Sequence, residues 1–412
     1  MQDNKANRDL DIVVFGATSF VGEILCRHLA AQFGAGGELN WAPAARSRAK
    51  LDRLRGSLDE TAGLEFLVAN AADEASLRRI CERTRVVIST VGPYALYGEP
   101  LIRVCAETGT DYCDLSAEFQ WIRRMIATYE KSAADSGARI LHCCGFDSIP
   151  SDLGVFFLQQ QARARFGEPC ADVRMRVKAM RGGFSGGTVA SVLNILRELA
   201  ASPSLRQQNA SPYSLCPRDH SFSVRQRMVR SATYDTDFDR WTAPFLMSPI
   251  NTRVVHRSNA LSANAYGEDF KYDEAVMTGR GLRGRIAAHT IVAGLGGFAV
   301  MNATRPTRWA LGKLLPAPGE GPDADARARG FFDVRFVGRT AQGDELFAKV
   351  TGDMDPGYGS TAKMLAQTGA CLAQDVTDTD LAGGFWTPAT AFGQRLVDRL
   401  QANAGMTFEI LA

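Results

Sequence analysis

The residues best suited to chemistry begin at Gly16-Ala17-Thr18-Ser19-Phe20-Val21-Gly22, between the apolar run Ile12-Val13-Val14-Phe15 and a helical period that starts at Glu23. A strand, a glycine turn and a helix N-terminus in that order bind the pyrophosphate of a dinucleotide. Gly16 makes the tight turn and Gly22 lets helix and strand pack closely. The backbone N–H groups of Thr18, Ser19 and Phe20, with Val21 continuing the first turn, face the anion at the positive end of the helix dipole. Cofactor choice falls to the end of the second strand, where an acid binds the ribose 2′-hydroxyl of NAD and a cation accommodates the 2′-phosphate of NADP. That stretch reads Ala45-Arg46-Ser47-Arg48-Ala49-Lys50, with no acid. Arg46, Ser47 and Lys50 therefore point to NADP(H); a basic, solvated helix start is the other reading of the same residues. Asp73 follows the third strand and either caps its helix or approaches the adenine. Val91-Gly92-Pro93-Tyr94 follows the fourth, on the carboxyl edge where open α/β sheets bind ligands, and marks the nicotinamide neighbourhood.

Positioning these residues requires a parallel sheet. From Asp11 onward short apolar runs alternate with helical periods, the pattern of βαβ units. Strands are expected near 12–15, 40–45, 65–68, 86–90, 110–114 and 139–143, with helices between them, as an α/β, doubly wound, Rossmann-like domain over residues 1–150. Pro43 fits this poorly, because it cannot donate to a ladder in a strand that should be central. Residues 151–412 are expected to form a second, α+β substrate domain. Its elements are helices near 151–165 and 188–201, strands near 172–180 and 272–277, an apolar helix over 286–301 and a hairpin over 331–350. Two C-terminal helices near 359–374 and 387–402 are free to pack back on the first domain.

Composition narrows the partners. Lys plus Arg is 47 against 45 for Asp plus Glu, so no global field attracts nucleic acid. The nine cysteines are odd in number and lack any C-x-x-C, which argues against a disulfide framework and a zinc site. His142-Cys143-Cys144 are consecutive on a strand and cannot converge on one ion, so no metal is expected. The polar N-terminus lacks a secretory signal, which predicts a cytoplasmic protein. The 286–301 stretch is interrupted by His289, Gly294, Gly296 and Gly297 and falls short of the roughly 20 residues that span a bilayer. It suits a buried core helix, or an interfacial helix touching the inner face of the plasma membrane. A homodimer is compatible with everything above.

Eight segments in order carry a family resemblance: GATSFVG, AARSRAKL, STVGPYALYGEPLIRVCAETGTDYCDLSAE, CCGFDSIPSDLG, RGGFSGGTVAS, LPAPGEGP, GDMDPGYGSTAKM and GGFWTPATAFG. Over nearly the whole chain the sequence resembles the saccharopine dehydrogenase-like oxidoreductases, in particular their trans-acting enoyl reductase branch. It departs at Ala45, where members often have Gly, and at Pro43, where they often have an aliphatic residue. The resemblance implies an NADP-binding Rossmann domain, a substrate domain, and reduction of a double bond in a hydrophobic, polyketide-derived acyl chain presented by a synthase. Such a reduction needs hydride at the β-carbon, a donor for the enolate oxygen and a proton for the α-carbon. Tyr94, with Tyr97 behind it, is the candidate donor. Asp147 ends strand six, and Asp114 and Glu118 end strand five, for acid/base work or a polar substrate end. Ser185, in Ser185-Gly186-Gly187-Thr188 at a helix N-terminus, suits a carboxylate or phosphate. The alternatives are a packed ring for Tyr94, a structural carboxylate for Asp147, and an ordinary helix cap for the Ser185 turn. A saccharopine-type amino-acid dehydrogenase using Arg181, and an NADP-binding lipid- or membrane-associated protein without turnover, are the competing readings, because a fold does not fix a chemistry.

Overall fold

The structure, a computed structural model, describes residues 5, 8–58, 63–182, 203–208, 210–301 and 321–411. Its strands are β1 (Leu10–Phe15), β2 (Trp41–Ala45), β3 (Leu67–Val68), β4 (Thr84–Ser89), β5 (Asp111–Asp114), β6 (Arg139–Leu141) and β7 (Cys170–Arg181). They continue with β8 (Thr233–Asp235), β9 (Arg240–Pro244), β10 (Lys271–Gly279), β11 (Phe331–Thr340), β12 (Glu345–Gly352), β13 (Gly384–Trp386) and β14 (Met406–Leu411). The chain divides into two units, Met1–Phe146 with Gly357–Ala404, and Asp147–Pro356 with Gly405–Ala412.

The first unit is built on one parallel sheet of order β13-β6-β5-β4-β1-β2-β3. Ile12, Val13, Val14, Val86, Val87 and Ile88 are all fully buried, which is why the central strands read as continuous apolar runs rather than alternating ones. Residues 357–404, which contain both C-terminal helices expected to be free to pack back, belong to this unit. Helix Thr361–Gln374 lies so close to the sheet that a Cβ on Gly369 would sit 2.4 Å from Ile88 Cδ1. β13 then adds a parallel strand beside β6, with Gly384 opposite Arg139. A buried ion cluster fastens the same parts: Asp111 on β5 binds Lys5 Nζ at 2.8 Å and Arg139 on β6, whose Nη1 donates to Val376 O at 3.0 Å.

Pro43 is accommodated in β2. The carbonyls of Asn40 and Ala44 accept from β1 and its exit, so alternation turns Pro43 toward β3, and β3 pairs only from Ala44 and Ala45 onward. The missing donor falls just ahead of the ladder.

The second unit carries a mixed sheet of order β14-β12-β11-β7-β10-β9-β8, in which β7 and β10 are the parallel neighbours. Helix Ile149–Phe166 packs on β11, where a Cβ on Gly154 would lie 2.3 Å from Phe336 Cζ. Helix Ser248–Leu261, which the sequence pattern does not predict, is almost wholly buried despite its polar residues. Helix Gly281–Met301 is not a core helix: of its residues with described side chains only Gly284 and Ala288 are buried, and Leu282 and Ile286 are 71% and 57% exposed. No helix among the described residues is long and apolar enough to cross a membrane. The expected C-terminal helix over 387–402 is broken at Gly393, φ +53°, into Pro388–Phe392 and Gln394–Asn403. The expected helix over 188–201 lies outside the described residues.

Candidate active site

At the end of β1, Gly16 takes φ +89° and the chain turns at once. A Cβ there would lie 2.7 Å from both Thr90 Oγ1 and Val91 Cγ2, so only glycine brings this turn against the exit of β4. A Cβ on Gly22 would lie 2.2 Å from Gly16 O, which leaves no side chain possible where the helix meets the turn. Ser19 caps helix Phe20–Phe33: its Oγ accepts from Gly22 N–H at 3.0 Å and lies 2.9 Å from Thr90 Oγ1. Its own N–H donates to Gly16 O at 2.8 Å, so this amide is spent inside the turn and not offered to an anion, contrary to expectation. The N–H groups of Thr18 and Val21 carry no hydrogen bond among the described residues. The Phe20 ring packs edge-on against Tyr358 at 4.7 Å.

β2 runs parallel to β1 with Ala44 opposite Phe15, so Arg46 leaves the sheet at the same edge as Gly16. Arg46 and Lys50 are exposed and form no ion pair among the described residues. Arg48 turns away instead, to Phe66 O at 3.1 Å. Ser47 caps helix Arg48–Arg55, its Oγ accepting from Lys50 N–H at 3.4 Å. Asp73 Oδ1 accepts from Ala75 and Ser76 N–H at 3.1 and 3.3 Å; of its two expected roles the structure gives it the cap.

The turn after β4 corrects the expected donor. Gly92 is exposed and Pro93 half-exposed at the edge, but Tyr94 is 5% exposed. Its hydroxyl donates to Ser89 O at 2.9 Å and accepts from Leu115 N–H at 3.3 Å, joining the exits of β4 and β5 from within. Burial, reinforced by Asp114, holds the phenol well above its usual range. Tyr94 is thus a structural clamp, and Tyr97, 49% exposed, is the phenol left on the surface. Glu118 is also spent, accepting Tyr94 N–H at 2.8 Å and Ala95 N–H at 3.1 Å at the start of the short helix Tyr94–Tyr97.

Asp114 accepts from Tyr112 OH at 2.9 Å and Ser116 N–H at 2.9 Å, and lies 2.8 Å from His142 Nδ1. Sequence reasoning missed this pair. Its signal is the strand register, since Tyr112↔Ile140 and Cys113↔Leu141 place Asp114 beside His142. Nε2 of that buried histidine has no partner among the described residues, and its ring centroid lies 5.0 Å from that of Trp121. Cys143 Sγ turns to Ser116 O and Cys144 Sγ to its own strand, so the three consecutive residues diverge. Among the described residues no cluster of three His, Cys, Asp or Glu could hold a metal ion.

Asp147 differs from the other carboxylates. It stands on the loop leaving β6, directly after Phe146, whose N–H donates to Thr361 Oγ1 at 3.0 Å. Its carboxyl makes no hydrogen bond among the described residues, and burial alone pushes it up to about 6. Ser185 lies outside the described residues.

Known proteins resemble this chain in sequence and fold. Residues 12–141 match the family described as saccharopine dehydrogenase NADP binding domain. The chain is 38% identical, over 98% of its length and 97% of the relative's, to a Mycobacterium tuberculosis protein provisionally called a trans-acting enoyl reductase. It is 36% identical to the trans-acting enoyl reductase of Mycobacterium ulcerans, over 96% of this chain and 97% of that one. The chain belongs to the trans-acting enoyl reductase family. Its fold is also that of apo saccharopine dehydrogenase (L-Glu forming) from Saccharomyces cerevisiae, with TM-score 0.53 and 13% identity over 98% of this chain and 100% of that one.

As a member of this family with that domain, the protein is an NADP(H)-dependent oxidoreductase. The residues present fit the cofactor: two glycines whose Cβ atoms would fill the cradle, open amides at a helix N-terminus, and unneutralised cations at the end of β2. Replacing Arg46 with Ala is expected to weaken NADPH binding by about 1.5 to 3 kcal/mol and leave NADH binding nearly unchanged. Fluorescence titration of both cofactors checks this; an equal loss for the two removes Arg46 from the 2′-phosphate.

Proposed function

We propose that the protein is an NADPH-dependent enoyl reductase acting on a hydrophobic acyl chain made by a separate synthase, with Asp147 as the proton donor. Bound NADPH supplies a hydride to the β-carbon. The double-bond electrons then move onto the thioester carbonyl, and the α-carbon takes a proton from the Asp147 carboxyl, which is restored from solvent. The observation carrying this reading is the Asp147 carboxyl itself, unbonded among the described residues and raised by burial alone to about 6, well above an ordinary aspartate, so that it keeps its proton up to mildly acidic pH. The relatives' name supports the choice of an enoyl substrate over an amino acid, and its trans-acting part supports delivery by another protein.

Helix Gly281–Met301 supports a second element, peripheral contact with a membrane surface. It contains no acid, carries exposed Arg283 and Arg285 near its start, and leaves Leu282 and Ile286 in solvent. An amphipathic or apolar helix with flanking cations binds anionic bilayers by burying apolar area and by electrostatic attraction. The protein is expected to float with liposomes containing anionic lipid, and Ile286→Asp to abolish flotation without unfolding; no flotation of the wild type contradicts the contact.

For the chemistry, Asp147→Asn is expected to lower kcat on an enoyl thioester by about 10²- to 10⁴-fold with NADPH affinity unchanged. The acid acts in its protonated form, so wild-type kcat/KM should fall as pH rises through about 6, and the variant should lose that limb. Tyr94→Phe serves as the control, keeping kcat while losing about 1 kcal/mol of stability. A selective loss of kcat in Tyr94→Phe with an active Asp147→Asn reverses the two assignments.

A further inference from the structure

The first turn of helix Ile149–Phe166 is fastened to buried polar groups of its own unit. Ser148 Oγ donates to Asn251 Oδ1 at 2.9 Å, and Asn251 Nδ2 donates to Glu274 Oε2 at 3.0 Å. The other oxygen, Glu274 Oε1, accepts from Tyr272 OH at 2.7 Å. Further along the turn, Asp152 accepts from Ser258 Oγ. Ser148, Ser151, Asp152, Asn251, Ser258 and Glu274 are all buried. Ser148 and Asp152 are therefore both held by helix Ser248–Leu261, and the residue immediately before this turn, Asp147, has a carboxyl with no bond among the described residues.

We infer that Glu274 and Asn251 are positioning residues for Asp147, acting through the hydroxyl of Ser148. The inference rests on Asp147 being the proton donor. A carboxyl on a loop delivers a proton only while it is kept within hydrogen-bond reach of the reacting carbon, and a displacement of about 1 Å costs on the order of 10²-fold in rate. Asp147 has no bonds of its own among the described residues, so its direction follows the backbone of Ser148. That backbone is held by a side chain locked in a chain of donors that ends on a buried carboxylate. The order of the chain is set by Asn251, whose amide presents its oxygen to a hydroxyl and its nitrogen to a carboxylate. An apolar contact would hold the helix start without the cost of burying a carboxylate; the polar chain adds direction, because hydrogen bonds fail within about 1 Å of misplacement.

The test is a set of variants in the full chain, with NADPH and an enoyl thioester as probes. Ser148→Ala and Glu274→Leu each break the chain, and are expected to lower kcat about 10- to 100-fold while NADPH affinity stays unchanged. Glu274→Gln keeps an acceptor for Asn251 and should restore kcat to within a few-fold of wild type. Ser148→Ala, the smallest change, also covers the case in which Glu274→Leu does not fold. The deciding readout is Ser148→Ala placed on Asp147→Asn: a residue acting through Asp147 adds no further loss of kcat, whereas independent action multiplies the two losses. Multiplicative losses, or wild-type kcat in Ser148→Ala with an impaired Asp147→Asn, overturn the inference and leave the acid assignment standing. A fully active Asp147→Asn overturns the acid assignment and this inference with it.

Discussion

The lack of room for a Cβ on Gly16 beside Thr90 is the constraint from which the candidate cofactor cradle follows. Because neither Gly16 nor Gly22 has a Cβ, the exit of β1, the exit of β4 and the start of a helix occupy a space that any side chain would close. Ser19 Oγ bonds to Gly22 N–H and lies beside Thr90 Oγ1. The helix dipole and the remaining open amides of the turn point outward at the sheet edge. The parallel register of β2 brings Arg46 and Lys50 to that same edge, where no carboxylate among the described residues neutralises them. A dinucleotide site needs these features together, and one steric requirement supplies the first of them.

Buried charge plays the complementary part of holding the sheet to its late-arriving segment. Taking a carboxylate and two cations out of water is unfavourable unless they meet one another with good geometry. Asp111, Lys5 and Arg139 do so, and Arg139 extends the cluster to the Val376 carbonyl. The C-terminal segment is thereby tied to β5 and β6 by polar contacts, and to the face of β4 by the packing of Gly369 on Ile88. In the second unit Arg176 is held in the same manner between Asp235 and Asp273, each at 2.6 Å. The two units thus use a common device: apolar strands for cohesion and fully paired ions to fix which segments belong together.

Elements with a strong local pattern could be read from the sequence. β1, β2, β4 to β6 and helix Phe119–Ser136 stand where apolar periodicity puts them, because each is long enough, or buried enough, for its own residues to decide. β8, β9, β13 and β14 were not legible; the shortest of them have too few residues to show a period and exist through pairing. Site residues divide along the same line. Gly16, Gly22 and Arg46 are candidates through backbone shape or position at a strand end, which spacing encodes. Tyr94 sits at the expected place, but its role depends on where the ring points, and that is decided by Ser89 O, Leu115 N–H and Trp121. Glu118 was misread for the same reason. The Asp114–His142 pair needs a strand register, and the Ser148–Asn251–Glu274 chain joins residues more than a hundred positions apart. No local pattern carries either.

The central claim is that the described cradle and Asp147 serve hydride and proton addition across a carbon–carbon double bond. The most direct measurement follows the two hydrogens separately, by giving the protein NADPH deuterated at the transferable C4 position with an enoyl thioester in ordinary water. Mass and NMR analysis of the saturated product should place deuterium on the β-carbon and a solvent-derived hydrogen on the α-carbon. Absence of deuterium from every enoyl product, together with its transfer to the imine carbon of an amino-acid substrate, would contradict the account and assign the protein to carbon–nitrogen chemistry.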